Sequence, residues 1–219
     1  MKAIIMISYV LLGLGIALGG AQPHYTVVVV RANSHSPNSH SPQNPLQQKI
    51  RDIYTAEIGV REATGKNDGS RVEAYLRYCG LGKGNAWCAA FVSWVYGQAG
   101  LKEPRTAWAA ALFPKAKQVQ LSAIGSGHSV ARSPSQGATQ NAQQSLGLVF
   151  GIYYPSLGRI GHCGFVDGVE GSTLITVEGN TNEVGSREGD GVYRKRRPIK
   201  TIHALADWLP PLSISKQLH

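Results

Sequence analysis

Between residues 46 and 100 the apolar positions recur every three or four residues, and between 148 and 197 they alternate or run together, so helices are expected first and strands afterwards. In the first helix Leu46, Ile50, Ile53, Tyr54 and Ile58 share one face, with Lys49, Arg51, Asp52 and Glu57 elsewhere. After the loop Gly65-Lys66-Asn67-Asp68-Gly69, the residues Val72, Tyr75, Leu76 and Cys79 predict a short second helix that stops at Gly80. A third helix begins at Cys88 and is apolar nearly all round: Phe91, Val92, Val95 and Ala99 fall three or four apart while Ala89, Ala90 and Trp94 cover the rest. That is the pattern of a buried helix, with Asn85 as N-cap, Gly100 in the left-handed position after its end and Pro104 preventing continuation. Trp108, Leu112 and Phe113 suggest a further short apolar helix ending at Pro114. Residues 148–154, 160–169, 173–178 and 192–197 read as strands, rich in β-branched and aromatic side chains. Helices followed by strands argue for an α+β domain with helices packed against an antiparallel sheet.

The flanks differ from this body. Residues 1–21 begin with Lys2, continue as an apolar run and end in Gly19-Gly20-Ala21, the build of a secretory signal with Ala21 as cleavage point; the alternative is an uncleaved anchor near the lower length limit for a span. Residues 22–45 form a linker, in which Ser34-His35-Ser36-Pro37-Asn38 is echoed by Ser39-His40-Ser41-Pro42-Gln43, a composition that cannot bury enough apolar surface to fold. The body covers residues 46–200 and a tail 201–219. Within the body, residues 118–145 turn rich in Ser, Gln and Gly and are either a lid over the site or a disordered insertion. Export, to a periplasm or the exterior, is the expectation, with membrane contact only through an uncleaved first segment.

Composition narrows the partners. A net charge of +9 over 219 residues suggests an anionic partner: nucleic acid, phospholipid or a cell-wall polymer. Nucleic acid is not expected, because there is no zinc-spaced Cys/His cluster, no phosphate-binding glycine loop and no basic-aromatic alternation. Three cysteines are an odd number and leave at least one thiol free. The basic run Arg194-Lys195-Arg196-Arg197 could hold an anionic substrate, but charges on a solvated edge strand account for it better.

The candidate chemistry starts at Cys88. In the first turn of a helix, free amide N–H groups and the positive end of the dipole favour thiolate, and the same amides can hold a tetrahedral oxyanion. A cysteine in an apolar helix is also what plain packing produces, so a matching base is needed. In Ile160-Gly161-His162-Cys163-Gly164-Phe165-Val166, alternation places His162 on one face and Cys163 on the other, where it reads as core. A turn at Glu170-Gly171-Ser172 returns the chain as residues 173–180. A three-residue turn sets Asn180 opposite His162 with Glu178 diagonal, and a five-residue turn sets Glu178 opposite; both bring Glu178 and Asn180 beside the imidazole. A carboxylate or amide on one ring nitrogen fixes the tautomer and frees the other to take the thiol proton. Gly161, Gly164 and Gly179 are expected to keep space for a substrate, and Trp87, Asn67 and Glu62 to help bind it. A Cys79–Cys163 disulfide stays open as an alternative to free thiols.

The segments Trp87-Cys88-Ala89-Ala90-Phe91-Val92-Ser93-Trp94, Gly161-His162-Cys163-Gly164-Phe165-Val166 and Glu178-Gly179-Asn180-Thr181-Asn182 resemble, in order, the motifs of CHAP domains, cysteine- and histidine-dependent amidohydrolases and peptidases related to papain-like cell-wall enzymes. The resemblance covers about residues 46–198. It implies a papain-like α+β fold, Cys88 as nucleophile, His162 as general base and then acid, Glu178 as the orienting third member and Asn180 as an auxiliary polar group. It implies peptidoglycan or peptide amides as substrate and no cofactor; a monomer is expected. Some members bind calcium through closely spaced aspartates before the cysteine, for which Asn67-Asp68-Gly69 is too sparse, so no metal is expected. The family often has an aliphatic residue after the histidine, where Cys163 stands here. A catalytically silent wall- or partner-binding module is the alternative from another class.

Overall fold

The computed structural model describes residues 44–125, 146–184 and 189–210, all within the compact unit His40–His219. The expected signal, most of the linker and residues 126–145 of the expected lid or insertion lie outside the described residues.

Three helices come first. α1 (Pro45–Ala56) starts with Asn44, whose side chain accepts from the Leu46 amide at 3.0 Å, and with proline at its first position. It buries Ile50 and Tyr54, while Ile58 lies beyond the helix end and is 38% exposed, so the apolar stripe is one turn shorter than the spacing predicts. α2 (Ser70–Tyr78) buries Val72, Tyr75 and Leu76. α3 (Cys88–Ala99) is buried along nearly its whole length and closes on Gly100 at φ 101°, the left-handed position where glycine avoids a Cβ clash. Asn85 does not cap it: Trp87 stands at the N-cap, and the Asn85 side chain turns back to the Gly82 carbonyl at 3.1 Å. Trp108 opens a single 3-10 turn, Ala109–Leu112, in place of the expected apolar helix.

The sheet is six-stranded and antiparallel, in the order β1-β6-β2-β3-β4-β5, from β1 (Gln118–Val119), β2 (Val149–Tyr154), β3 (Arg159–Glu170), β4 (Thr173–Thr181), β5 (Gly191–Pro198) and β6 (Ala204–Ala206). The fold is therefore α+β, helices before strands. β6 lies in the stretch expected to be a tail, yet it fills the place between β1 and β2, and the indole of Trp208 just beyond it donates to the Leu112 carbonyl at 3.0 Å.

The two faces of the sheet carry separate apolar layers. Tyr54, Phe91 and Tyr96 gather around Phe165, with ring centroids 4.8, 6.1 and 5.3 Å away, which seats α1 and α3 on one face. Phe150, Val166, Leu174, Ile202 and Leu205 form the second layer. Two bulges adjust the register of β3. The turn after Glu170 has two residues, Gly171 and Ser172, with Glu170 opposite Thr173; an unpaired Asp167 then shifts the ladder so that Phe165 faces Val177. The ladder beyond the bulge has the register expected of the three-residue turn, with Glu178 diagonal to His162. The second bulge falls at Gly161, since Tyr153 pairs with Ile160 and Ile152 with His162.

The candidate active site

Cys88 is the first residue of α3, and α3 is held at that end from β4. Asn180, at φ 54° in the left-handed region and inside a shift of the β4–β5 register, accepts the Trp87 amide hydrogen on its Oδ1 at 2.9 Å. Its amide nitrogen donates to Asn67 Oδ1 and to the Gly189 carbonyl, both at 3.2 Å. A non-glycine residue in that backbone region is held by its surroundings, and three side-chain hydrogen bonds supply the hold. Asn180 thus fixes the residue before Cys88, leaving the first amides of α3 free of intrahelical partners.

Trp87, Glu62 and Asn67 stand behind this helix end. The fully buried indole donates to Glu62 Oε1 at 2.8 Å, and Glu62 Oε2 accepts the Asn67 amide hydrogen at 2.8 Å. None of the three is among the residues that line the cleft in front of Cys88.

His162 and Glu178 meet on the sheet. His162 Nε2 lies 2.8 Å from Glu178 Oε2, and the two side chains are 2% and 0% exposed. Glu178 is saturated: Thr176 Oγ1 donates to Oε1 at 2.6 Å, and Arg197 donates through Nε to Oε1 at 2.6 Å and through Nη2 to Oε2 at 2.5 Å. Burial opposes its charge, but the hydrogen bonds from Arg197 and His162 win, holding the carboxyl at about 2. Burial likewise opposes the imidazolium, and hydrogen bonding to Cys88 and Glu178 outweighs it, raising His162 to about 9. With Nε2 committed to Glu178, His162 Nδ1 is the ring atom left for Cys88; it is buried and makes no geometrically complete hydrogen bond among the described residues.

Cys163 turns out to belong to this cluster. Alternation puts it in the helix-side apolar layer, as expected of a core residue, but the first turn of α3 lies on that layer, so its thiol meets Cys88. The Cys88 thiol is held well below its ordinary range first by hydrogen bonding to Cys163, against burial, and then by His162. Burial and the neighbouring Cys88 push the Cys163 thiol well above its ordinary range. All three cysteines are free, and Cys79 is not joined to Cys163.

The glycines expected to leave room for a substrate instead leave room for the protein. A Cβ on Gly179 would sit 2.7 Å from Trp87 Cζ3 and 2.9 Å from Phe91, so this glycine lets α3 approach β4. A Cβ on Gly164 would sit 2.9 Å from Glu178 Cγ, so this one admits the carboxylate. Gly161 lines the cleft, but a Cβ there would sit 2.8 Å from both Leu157 Cδ1 and Tyr154 Cδ2, so it too makes room for the protein's own side chains. The basic run of β5 is largely neutralised: Arg194 pairs with Asp167 at 2.7 Å, Arg196 with Glu170 at 2.7 Å, and Arg197 with Glu178. Arg197, Thr176 and Cys163 are the site residues that sequence reasoning missed in these roles. For Arg197 a signal existed, since β5 must pair with β4 and alternation puts every second residue of its basic run on the face of Glu178.

The cleft has a volume of about 530 Å³ and is lined by Cys79, Asn85, Cys88, Asn180 and a wall of Arg105, Thr106, Ala107 and Trp108, among others. That wall is tied to α3 through Ser93, whose hydroxyl donates to the Thr106 carbonyl at 2.8 Å and accepts from the Thr106 amide at 3.0 Å. Among the described residues no group of three or more His, Cys, Asp or Glu side chains could hold a metal ion, and no helix is long and apolar enough to cross a membrane.

The α+β fold thus sets a cysteine at a helix start, a histidine on the sheet and a carboxylate behind that histidine. Residues 80–180, just under half of the chain, match the family model of the CHAP domain, a family of cysteine- and histidine-dependent amidohydrolases and peptidases. A solved structure described as the crystal structure of Ly7917 is similar at 16% identity with a TM-score of 0.35, over 73% of this chain and 61% of that one, so the chain spans less than two thirds of its length. No curated protein matches.

Proposed function

We propose that this chain is an exported cysteine amidohydrolase or endopeptidase that cuts amide bonds in bacterial peptidoglycan, with its helices and sheet arranged as in papain-like enzymes. The observation that carries the proposal is a helix-start thiol, Cys88, opening on a cleft, with His162 beside it and Glu178, saturated by Arg197, behind the imidazole. Cys88, as thiolate, attacks the scissile carbonyl carbon. The oxyanion is held by the free amides at the start of α3. The imidazolium of His162 gives its Nδ1 proton to the departing amine, leaving an acyl thioester on Cys88; water then attacks that thioester while Nδ1 takes its proton, and the Cys88 thiolate leaves, restoring the thiolate–imidazolium pair. Glu178 holds the ring through Nε2, and Asn180 holds the helix end. Trp87, Asn67 and Glu62 serve the substrate indirectly, by fixing the helix start.

The apolar run in residues 1–21 and the net charge of +9 support an exported protein working on a wall. The test is a digest of purified peptidoglycan under reducing conditions, with products identified by mass spectrometry and Cys88→Ala in parallel. Fragments released by the wild type alone support the reading, and the new amine names the bond. No release from walls of several peptide types by a folded sample overturns it.

A further inference from the structure

Nine arginines lie among the described residues, and six face carboxylates: Arg51 and Arg194 on Asp167, Arg71 on Glu57, Arg77 on Glu73, Arg196 on Glu170 and Arg197 on Glu178. Arg61 lies over the Tyr193 ring. The remaining two, Arg105 and Arg159, both line the Cys88 cleft, which has no acidic residue in its wall.

Each is held without being neutralised. Arg105 Nε donates to the Tyr78 carbonyl at 2.7 Å with its guanidinium 4.9 Å from the Tyr78 ring centroid, and its terminal nitrogens meet no carboxylate among the described residues. Arg159 Nη1 donates to the Ile160 carbonyl at 3.2 Å, and its guanidinium stands 5.6 Å from the Trp108 ring. Trp108 itself is 61% exposed at the cleft. Uncharged partners thus fix the planes of two guanidiniums, leaving forks suited to two-point carboxylate binding. Arginines elsewhere that meet carboxylates of the chain itself make the omission here a property of the cleft.

From this we infer that the cleft selects acidic peptides: substrates carrying a free carboxylate next to the scissile amide, in preference to the same peptides with that group as a carboxamide. The inference rests on the proposed amide hydrolysis and names its substrate class. The carboxylate spans the forks of Arg105 and Arg159 while the apolar part of the residue lies on Trp108. An uncharged analogue leaves the forks to water and loses the charge-assisted bonds.

Two measurements test this on the full folded chain. In the first, Cys88 is alkylated with iodoacetate and with iodoacetamide, and the ratio of the two rates is followed in wild type, Arg105→Gln/Arg159→Gln and Arg105→Lys/Arg159→Lys. The ratio is expected to fall by about threefold or more in the Gln pair and to be largely kept in the Lys pair, and in the wild type to decline with salt. In the second, kcat/KM is compared for matched acid and carboxamide wall peptides. The acid is expected to be favoured by about tenfold, with the preference lost in the Gln pair. An alkylation ratio unchanged in the Gln pair overturns the inference, as does equal turnover of the matched peptides. A ratio that falls as expected while no wall peptide is cut upholds the anionic selectivity and overturns peptidoglycan hydrolysis instead.

Discussion

At Cys88 two neighbours share the work of making a thiolate, and they are separable. Hydrogen bonding from Cys163 is the largest influence lowering the Cys88 thiol, with His162 behind it. Cys163→Val keeps the volume in the core near that of the thiol and removes only the donor. The acid limb of kcat/KM, and of Cys88 alkylation, is expected to move to higher pH; a limb that stays in place would mean that Cys163 is packing alone. Arg197 acts one residue further back. As a positioning residue it holds Glu178 at about 2, so Arg197→Gln leaves a buried carboxylate short of its strongest partner. Losing one member of such a pair costs about 3 kcal/mol or more. The acid limb is expected to rise in Arg197→Gln and to recover in part with Arg197→Lys. Acid stability falls with the Gln variant but not with Cys163→Val, which tells the two routes apart in denaturant titrations at pH 3 and 7.

At the scale of elements, the helix and the sheet meet over Gly179, and that contact sets where Cys88 sits. Gly179→Ala forces a methyl to within 2.7 Å of Trp87 and 2.9 Å of Phe91, both in the layer that seats α3. Overpacking of this kind costs about 1–3 kcal/mol, and relief requires the helix start to move from β4. Both stability and kcat/KM are therefore expected to drop. Gly168→Ala on β3 meets Ile175 only at an ordinary 3.7 Å and is the matched control; equal behaviour of the two variants would remove the contact from the account. Helix α3 and strands β2 to β5 were legible in the sequence because each is long enough to display its period. Strands β1 and β6, of two and three residues, have no period to read. The site was legible where it depends on face and register, as with His162 and Glu178. It was not legible where it depends on which face α3 covers: alternation separates Cys163 from His162 correctly, yet only the docking of α3 brings Cys88 to Cys163. The glycines misled for a related reason, because a sequence marks a close approach without saying what approaches.

For the whole molecule, the titrating groups predict how stability changes with pH. Glu178 is lowered from 4.5 to about 2, so its contribution is complete above 4.5 and is lost as pH falls through about 2. Glu57, on Arg71 and Tyr75, is also lowered and adds to the acid loss. His162 is raised from 6.5 to about 9, so taken alone its contribution is complete below 6.5 and is lost as pH rises through about 9. Cys88 is lowered from 9.0, so taken alone its contribution grows as pH rises toward 9.0. The two slopes oppose each other: between 6.5 and 9 a folded thiolate–imidazolium pair and an unfolded thiol with neutral imidazole each hold one proton. Above the ordinary tyrosine value of 10.0 the buried Tyr54, Tyr75 and Tyr96 keep protons that the unfolded chain gives up, and stability falls again. Urea midpoints are thus expected to rise from pH 3 to about pH 6.5, stay level to about pH 9 and decline by pH 11. A decline already between pH 6.5 and 9 would mean that His162 is charged while Cys88 remains a thiol, contrary to the proposed nucleophile. Thiolate absorbance near 240 nm at pH 7, lost in Cys88→Ser, separates the ion pair from a neutral pair of the same proton count; its absence in the folded wild type would count equally against the mechanism.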